Sequence, residues 1–171
     1  MNRLGAASLA ASFVLVALFG TTDAFAAGQA KARLSGFQVV PTVSSAASGE
    51  FVASVTESSV EYRLSYSGFE TDVLFAHIHF GAPATNGGVS ATLCTNAAPS
   101  SAPACPLRDG TASGTIAPAD VGGPAGQGIA PGEFEELLDA IDAGATYVQV
   151  HSGAFPPGEI RGQIRRGLGR P

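Results

Sequence analysis

Short segments in which apolar and polar residues alternate recur along most of the sequence, separated by clusters of Gly, Pro and Ser. Such a period of two places successive side chains on opposite faces of a β-strand. The clearest segment is the one in which Val60, Tyr62, Leu64 and Tyr66 share a face, and residues 57–59 before it suit a hairpin turn. The pattern predicts an all-β domain, built as an antiparallel, Greek-key-like β-sandwich or flattened barrel.

The composition favours one folded domain over a fibrous or disordered chain. A length of 171 residues suits a single domain, and a hydrophobic content of 45% is too high for a disordered chain. The 22 glycines lack the strict triplet period of collagen. With a net charge of −5 and no basic block, the chain is not expected to bind nucleic acid.

Seven further strand candidates and one short helix complete the predicted elements. A helix is predicted over about 131–143, because its apolar residues follow the i, i+3, i+4, i+7 spacing. Pro131 suits the start of this helix, and Gly144 suits the position after its end. The strand candidates are residues 34–40, 51–55, 74–80, 89–93, 111–116, 147–151 and 159–164.

Residues 1–26 have the pattern of a secretory signal peptide. Arg3 supplies the positive charge, residues 4–19 are largely apolar, and Ala24-Phe25-Ala26 is an A-x-A cleavage site. The alternative is an uncleaved anchor, but the apolar run is shorter than the ~20 residues that span a bilayer. We therefore expect a periplasmic or secreted chain, residues 27–171, without membrane contact after cleavage.

The two cysteines fit an exported protein. Cys94 and Cys105 flank a loop rich in Ser, Ala and Pro. A disulfide between them would restrain this loop and is favoured in an oxidising compartment. The alternative is a pair of metal-binding thiolates, but the spacing is not one that zinc sites commonly use.

All three histidines of the chain lie in strand candidates. His77 and His79 alternate with Ala76, Ile78 and Phe80, so both imidazoles share one face and the apolar residues face the core. In the strand 147–151, Val148 and Val150 face the core, so that His151 points outward. If the two strands are neighbours, the three imidazoles converge on the outer face of the sheet.

Three imidazole nitrogens predict a site for one copper or zinc ion. Glu159 is a candidate fourth ligand, or an acceptor for the N–H of a coordinating ring. The alternative is a polar surface without metal, in which His and Glu side chains hydrogen-bond and Arg161 pairs with a carboxylate. A metal ion is thus the expected partner, whereas no protein partner or oligomeric state is indicated.

Four ordered blocks of the sequence resemble the CHRD family, the module named after chordin. They are LSGFQVVP at 34–41, AHIH at 76–79 followed by Gly81 and Pro83, YVQVH at 147–151, and PGEIRGQI at 157–164. The resemblance covers about 33–164 and implies an extracytoplasmic β-sandwich module. It implies no reaction. Because the chordin repeats belong to an extracellular binding protein, a metal-free binding or structural module is the alternative function.

A second resemblance concerns a possible metal chemistry. The pattern His77-x-His79-x-Gly81, the turn at 86–88 and Cys94 are similar to copper-zinc superoxide dismutase, and 148–151 is similar to a strand carrying a later copper ligand. This resemblance implies copper on His77, His79 and His151, with Arg161 as a catalytic residue beside an open coordination position. Because the chain has no fourth, bridging histidine, the resemblance implies a copper-only site. A dismutase-like oxidoreductase is therefore a further alternative.

Overall fold

The computed structural model describes residues 28–97 and 100–167; the predicted signal peptide lies outside them. The described residues form nine strands and one α-helix, and none of their helices is long and apolar enough to cross a membrane. The strands are β1 (Gly28–Ser35), β2 (Ser48–Val55), β3 (Val60–Ser67), β4 (Val73–Phe80), β5 (Gly88–Thr95), β6 (Gly110–Ile116), β7 (Thr146–Ser152), β8 (Ile160–Gln163) and β9 (Arg165–Arg166). The helix, α1, is Phe134–Asp142.

The strands form one antiparallel sheet that curls into a nearly closed barrel. Its order is β5-β4-β7-β8-β1-β2-β3-β6, with β9 paired to β1. The end strands β5 and β6 approach each other, and the Tyr62 hydroxyl of β3 donates a hydrogen bond to the Leu93 carbonyl of β5. The all-β prediction is therefore confirmed. In this order β4 and β7 are neighbours, which is the arrangement that convergence of the three histidines requires, and β8 lies next to β7.

The core lies inside the barrel and is lined by the apolar residues of the alternating segments. In β3, Val60, Tyr62, Leu64 and Tyr66 are all buried, as the period of two predicted. Helix α1 also packs its predicted stripe, with Phe134, Leu137 and Ile141 buried. Burial of each such side chain contributes about 1.5–3 kcal/mol to stability.

The structure corrects the bounds of two predicted elements. The first strand is not 34–40 but Gly28–Ser35, which pairs with β2 along its whole length. It stops there because the Gly36 carbonyl accepts hydrogen bonds from the amides of Val39 and Val43, which turns the chain. The helix starts at Phe134 and not near 131, since Gly132 has a φ of +86°, a left-handed conformation that a helix cannot include.

The predicted disulfide is confirmed. Cys94 and Cys105 are bonded, with their Cα atoms 5.0 Å apart. The side chain of Asn96 donates to the Cys105 carbonyl and accepts from the Cys105 amide. These bonds hold the far end of the loop against β5.

Candidate metal centre

The three histidines come together because β4 and β7 are paired. The register sets Phe75 opposite His151 and His77 opposite Gln149, so that His151 lies diagonally across from His77. The ring centroid of His77 is 5.6 Å from that of His79 and 5.4 Å from that of His151. One ring nitrogen from each histidine lies within 4.8 Å of the others. The predicted convergence is confirmed.

This face of the sheet is not open to solvent, contrary to the expectation of an exposed outer surface. His79 is 8% exposed and His151 is 6% exposed, while His77 is half-buried. Two loops cover them: the turn at 81–87 after β4 and the loop at 153–158 after β7, which contact the histidines through their carbonyl groups. We call the three histidines with their covering loops the histidine pocket.

Backbone carbonyls fix the tautomers of two of the three rings. Nδ1 of His79 lies 3.0 Å from the Gly87 carbonyl oxygen, and Nδ1 of His151 lies 2.9 Å from that of Pro156. Because a carbonyl oxygen only accepts, each Nδ1 carries the hydrogen, and each Nε2 of the neutral ring presents its lone pair. Both Nε2 atoms are buried without a hydrogen-bond partner, as is Nδ1 of His77.

The pocket favours neutral imidazoles. Burial, together with the neighbouring His151 and His79, lowers the pKa of His77 to about 3. Burial also lowers the pKa of His151 to about 4, against the opposing effect of its bond to Pro156. The pKa of His79 is lowered by burial as well. At neutral pH all three rings are therefore in the form that binds metal ions.

Aromatic rings flank the cluster on both sides. Phe75 packs against His77 and His151, with centroids 5.0 and 4.7 Å away. Tyr147 stacks on His79 at 4.9 Å with an interplanar angle of 6°. The sequence analysis did not single out Phe75, although its position two residues before His77 places it on the same face. Each of the three imidazoles is therefore packed against at least one of these two rings.

Glu159 lies outside the cluster of possible ligands among the described residues. Its carboxylate accepts hydrogen bonds from the hydroxyls of Ser45, at 2.6 Å, and Ser152. Glu159 is almost fully buried, and the hydrogen bonds from the two serines offset the loss of hydration of its carboxylate. Glu159 therefore links Ser45, in the segment between β1 and β2, to Ser152 at the end of β7.

Arg161 lies behind Tyr147 as seen from the histidines. Its Cζ is 3.5 Å from the centroid of the Tyr147 ring, and Nη2 donates to the Ala82 carbonyl at 3.2 Å. The structure thus places Tyr147 between Arg161 and His79, because β7 lies between β8 and β4. The ion pairs among the described residues, Arg108–Asp72 and Arg166–Asp142, do not include Arg161.

The fold and the site define an all-β barrel domain with a buried cluster of three imidazoles. The family model of the CHRD domain matches residues 30–164. This match covers most of the chain, so the protein belongs to the CHRD family. No curated protein and no solved structure matches it, and the similarity to copper-zinc superoxide dismutase therefore stays a prediction.

Proposed function

We propose that this CHRD protein is exported and binds one copper or zinc ion through His77, His79 and His151. The observation that carries the proposal is the set of three buried ring nitrogens without hydrogen-bond partners. An unpartnered buried polar atom costs about 1–3 kcal/mol, and native proteins hold few of them. A metal ion would give all three lone pairs one common partner.

The distances between the rings support the proposal. Metal–imidazole bonds are about 2.0–2.1 Å long, so an ion between nitrogens that lie within 4.8 Å of one another needs only small shifts of the side chains. The carbonyls of Gly87 and Pro156 engage Nδ1 of two rings, which leaves each Nε2 without a partner and free to bind an ion. Such bonds to the distal nitrogen are typical of metal-binding histidines.

The surroundings favour storage or transfer of the ion over catalysis. Phe75 and Tyr147 pack on the rings and restrict the room for a substrate. A dismutase-like reaction would need Arg161 beside an open position of the metal, but Tyr147 separates this residue from His79. We therefore do not adopt the dismutase alternative. A metal titration distinguishes the proposed metal site from a metal-free binding module.

Export is supported by the signal-peptide pattern of residues 1–26 and by the Cys94–Cys105 disulfide. The full chain expressed with its own leader should be recovered from the periplasm or the medium, with an amino terminus near Ala27. Recovery from the membrane fraction with the leader intact would contradict cleavage.

The metal site is tested by titration of the exported protein after removal of metal with a chelator. We expect one equivalent of copper or zinc, and more than about 100-fold weaker binding in His79→Ala and His151→Ala. Glu61→Ala is the control, since it truncates an exposed polar side chain on β3, at a position outside the cluster. If the parent binds no more metal than the histidine variants, the protein is a metal-free module.

A further inference from the structure

Arg161 is a buried cation without a counter-ion among the described residues. Its side chain is 1% exposed, and no carboxylate of those residues lies within ion-pair distance. Nη2 contacts the Ala82 carbonyl and the side-chain oxygen of Gln163, whereas Nη1 has no partner. Burial of an unpaired charge is costly, so its position next to the histidine pocket calls for a functional explanation.

The guanidinium belongs to a stack of three layers that ends in the pocket. The rings of His79 and Tyr147 are parallel, with centroids 4.9 Å apart, and Arg161 Cζ lies 3.5 Å from the centroid of Tyr147. Tyr147 is the middle layer, since its strand runs between the other two. An aromatic ring provides little dielectric screening, so the charge acts on whatever the His79 nitrogen binds.

The cluster itself supplies no negative charge. Its ligands are three neutral imidazoles, and the carboxylate of Glu159 lies outside the cluster, bonded to the hydroxyls of Ser45 and Ser152. No ligand of the cluster therefore offsets the charge of a bound ion. Desolvation and repulsion by Arg161 both rise with that charge, so that a monovalent ion is disfavoured less than a divalent one.

We propose that the histidine pocket selects Cu(I) over Zn(II) and Cu(II), and that Arg161 sets this preference by its buried charge. The inference rests on the proposed function and names the ion that the pocket takes. Imidazole binds both copper and zinc, so the three ligands alone do not produce a preference for Cu(I). Arg161 is a positioning residue here, because it acts on the ion through His79 and Tyr147 without touching it.

The expected size of the effect follows from Coulomb's law. With Arg161 roughly 8 Å from the His79 ring and an effective dielectric constant of about 20, one extra unit of charge on the ion changes the binding constant about 30-fold. Arg161→Gln should therefore reduce the ratio of Cu(I) affinity to Zn(II) affinity by roughly 10- to 30-fold. The reduction potential of the bound copper should fall with it.

The experiment measures both affinities by competition with chelators of known strength, anaerobically for Cu(I). Arg161→Lys should keep the preference, because it keeps the charge. Arg63→Gln is the matched control: Arg63 is exposed on β3, so the variant changes the net charge equally but leaves the pocket intact. Arg161→Met, without a charge and of similar length, replaces the Gln variant if circular dichroism shows that the latter does not fold.

Two results would overturn the inference. One is a parent protein that binds one equivalent of metal with no preference for Cu(I). The other is an unchanged affinity ratio and reduction potential in folded Arg161→Gln or Arg161→Met. Absence of any metal binding by the parent would instead contradict the proposed function, and the inference with it.

Discussion

Strands β3 and β7 are built from the same alternation but have different surroundings. In β3, Val60–Ser67, buried and outward-facing residues alternate, and the outward residues Glu61 and Arg63 are exposed. In β7, Thr146–Ser152, every residue is buried, including Gln149 and His151. The difference shows that polar alternation marks a face that points away from the core, but does not show that this face meets water.

The cover over β7 is held by polar contacts. The Gln149 side chain donates to the Pro157 carbonyl at 2.5 Å, and His151 bonds to the carbonyl of Pro156. The 81–87 turn contributes the Gly87 amide, which donates to the Tyr147 hydroxyl at 3.0 Å. Side chains that look like a solvated surface in the sequence are thus satisfied by loop backbone. The face over β3 has no comparable cover among the described residues.

The largest expected effect is a dependence of the free energy of unfolding on pH, caused by the buried histidines of the covered face. The pKa values of His77 and His151 are lowered by burial to about 3 and about 4, whereas both groups titrate near 6.5 when unfolded. Below pH 6.5 the unfolded chain therefore binds more protons, and the free energy of unfolding of the metal-free protein falls. The expected slope is about 1.4 kcal/mol per pH unit for each histidine that stays neutral when folded.

Urea unfolding between pH 7 and pH 5 measures this slope, in a range where most unperturbed carboxylates stay charged. His151→Gln should have a smaller slope than the parent. Equal stability of the parent at pH 7 and pH 5 would show that the imidazoles are not shielded from protons as the structure indicates.

A smaller effect on stability is expected when a side chain is added to the 153–158 loop that covers β7. In Gly158→Ala, the new Cβ would lie 1.6 Å from Gln149 Nε2, at a position with a φ of +134°. We expect a loss of about 2–4 kcal/mol in stability, because both the side chain and the backbone must move. Metal binding should weaken as well, since the 153–158 loop positions His151.

Gly126→Ala is the matched control for this variant, because no other atom lies within 4 Å of the added Cβ. Its stability should stay within about 0.5 kcal/mol of the parent. Similar losses in the two variants, measured by urea unfolding, would argue against a tightly fitted cover.

The smallest effects compare two serines. Ser152→Ala removes a buried hydroxyl that donates to the Glu159 carboxylate, and should cost about 1.5–3 kcal/mol. Ser65→Ala removes an exposed hydroxyl bonded to Thr111 on the β3 face, and should change stability by less than about 0.5 kcal/mol. Thermal melts of both variants check the difference. Equal losses of stability would mean that polar side chains are no more deeply buried on the β7 face than on the β3 face.

Much of the fold could be predicted from the sequence, because period-two alternation is a local signal. It indicated β3, β4 and β7 within one or two residues, and it placed His77 and His79 on one face. The start of β1 was missed, since its inward residues are mainly alanines, which are weak β-formers. Its pairing with β2 decides its length, and pairing is not local.

The sequence by itself determined which residues can share a face, which cysteines can pair and which side chains are candidate metal ligands. Only the tertiary structure decided that His79 and His151 are buried, that Glu159 turns to Ser45 and Ser152, and that Arg161 stacks behind Tyr147. The physical reason is that the direction of a side chain follows from its own strand. What covers that side chain depends on loops that return from elsewhere in the chain.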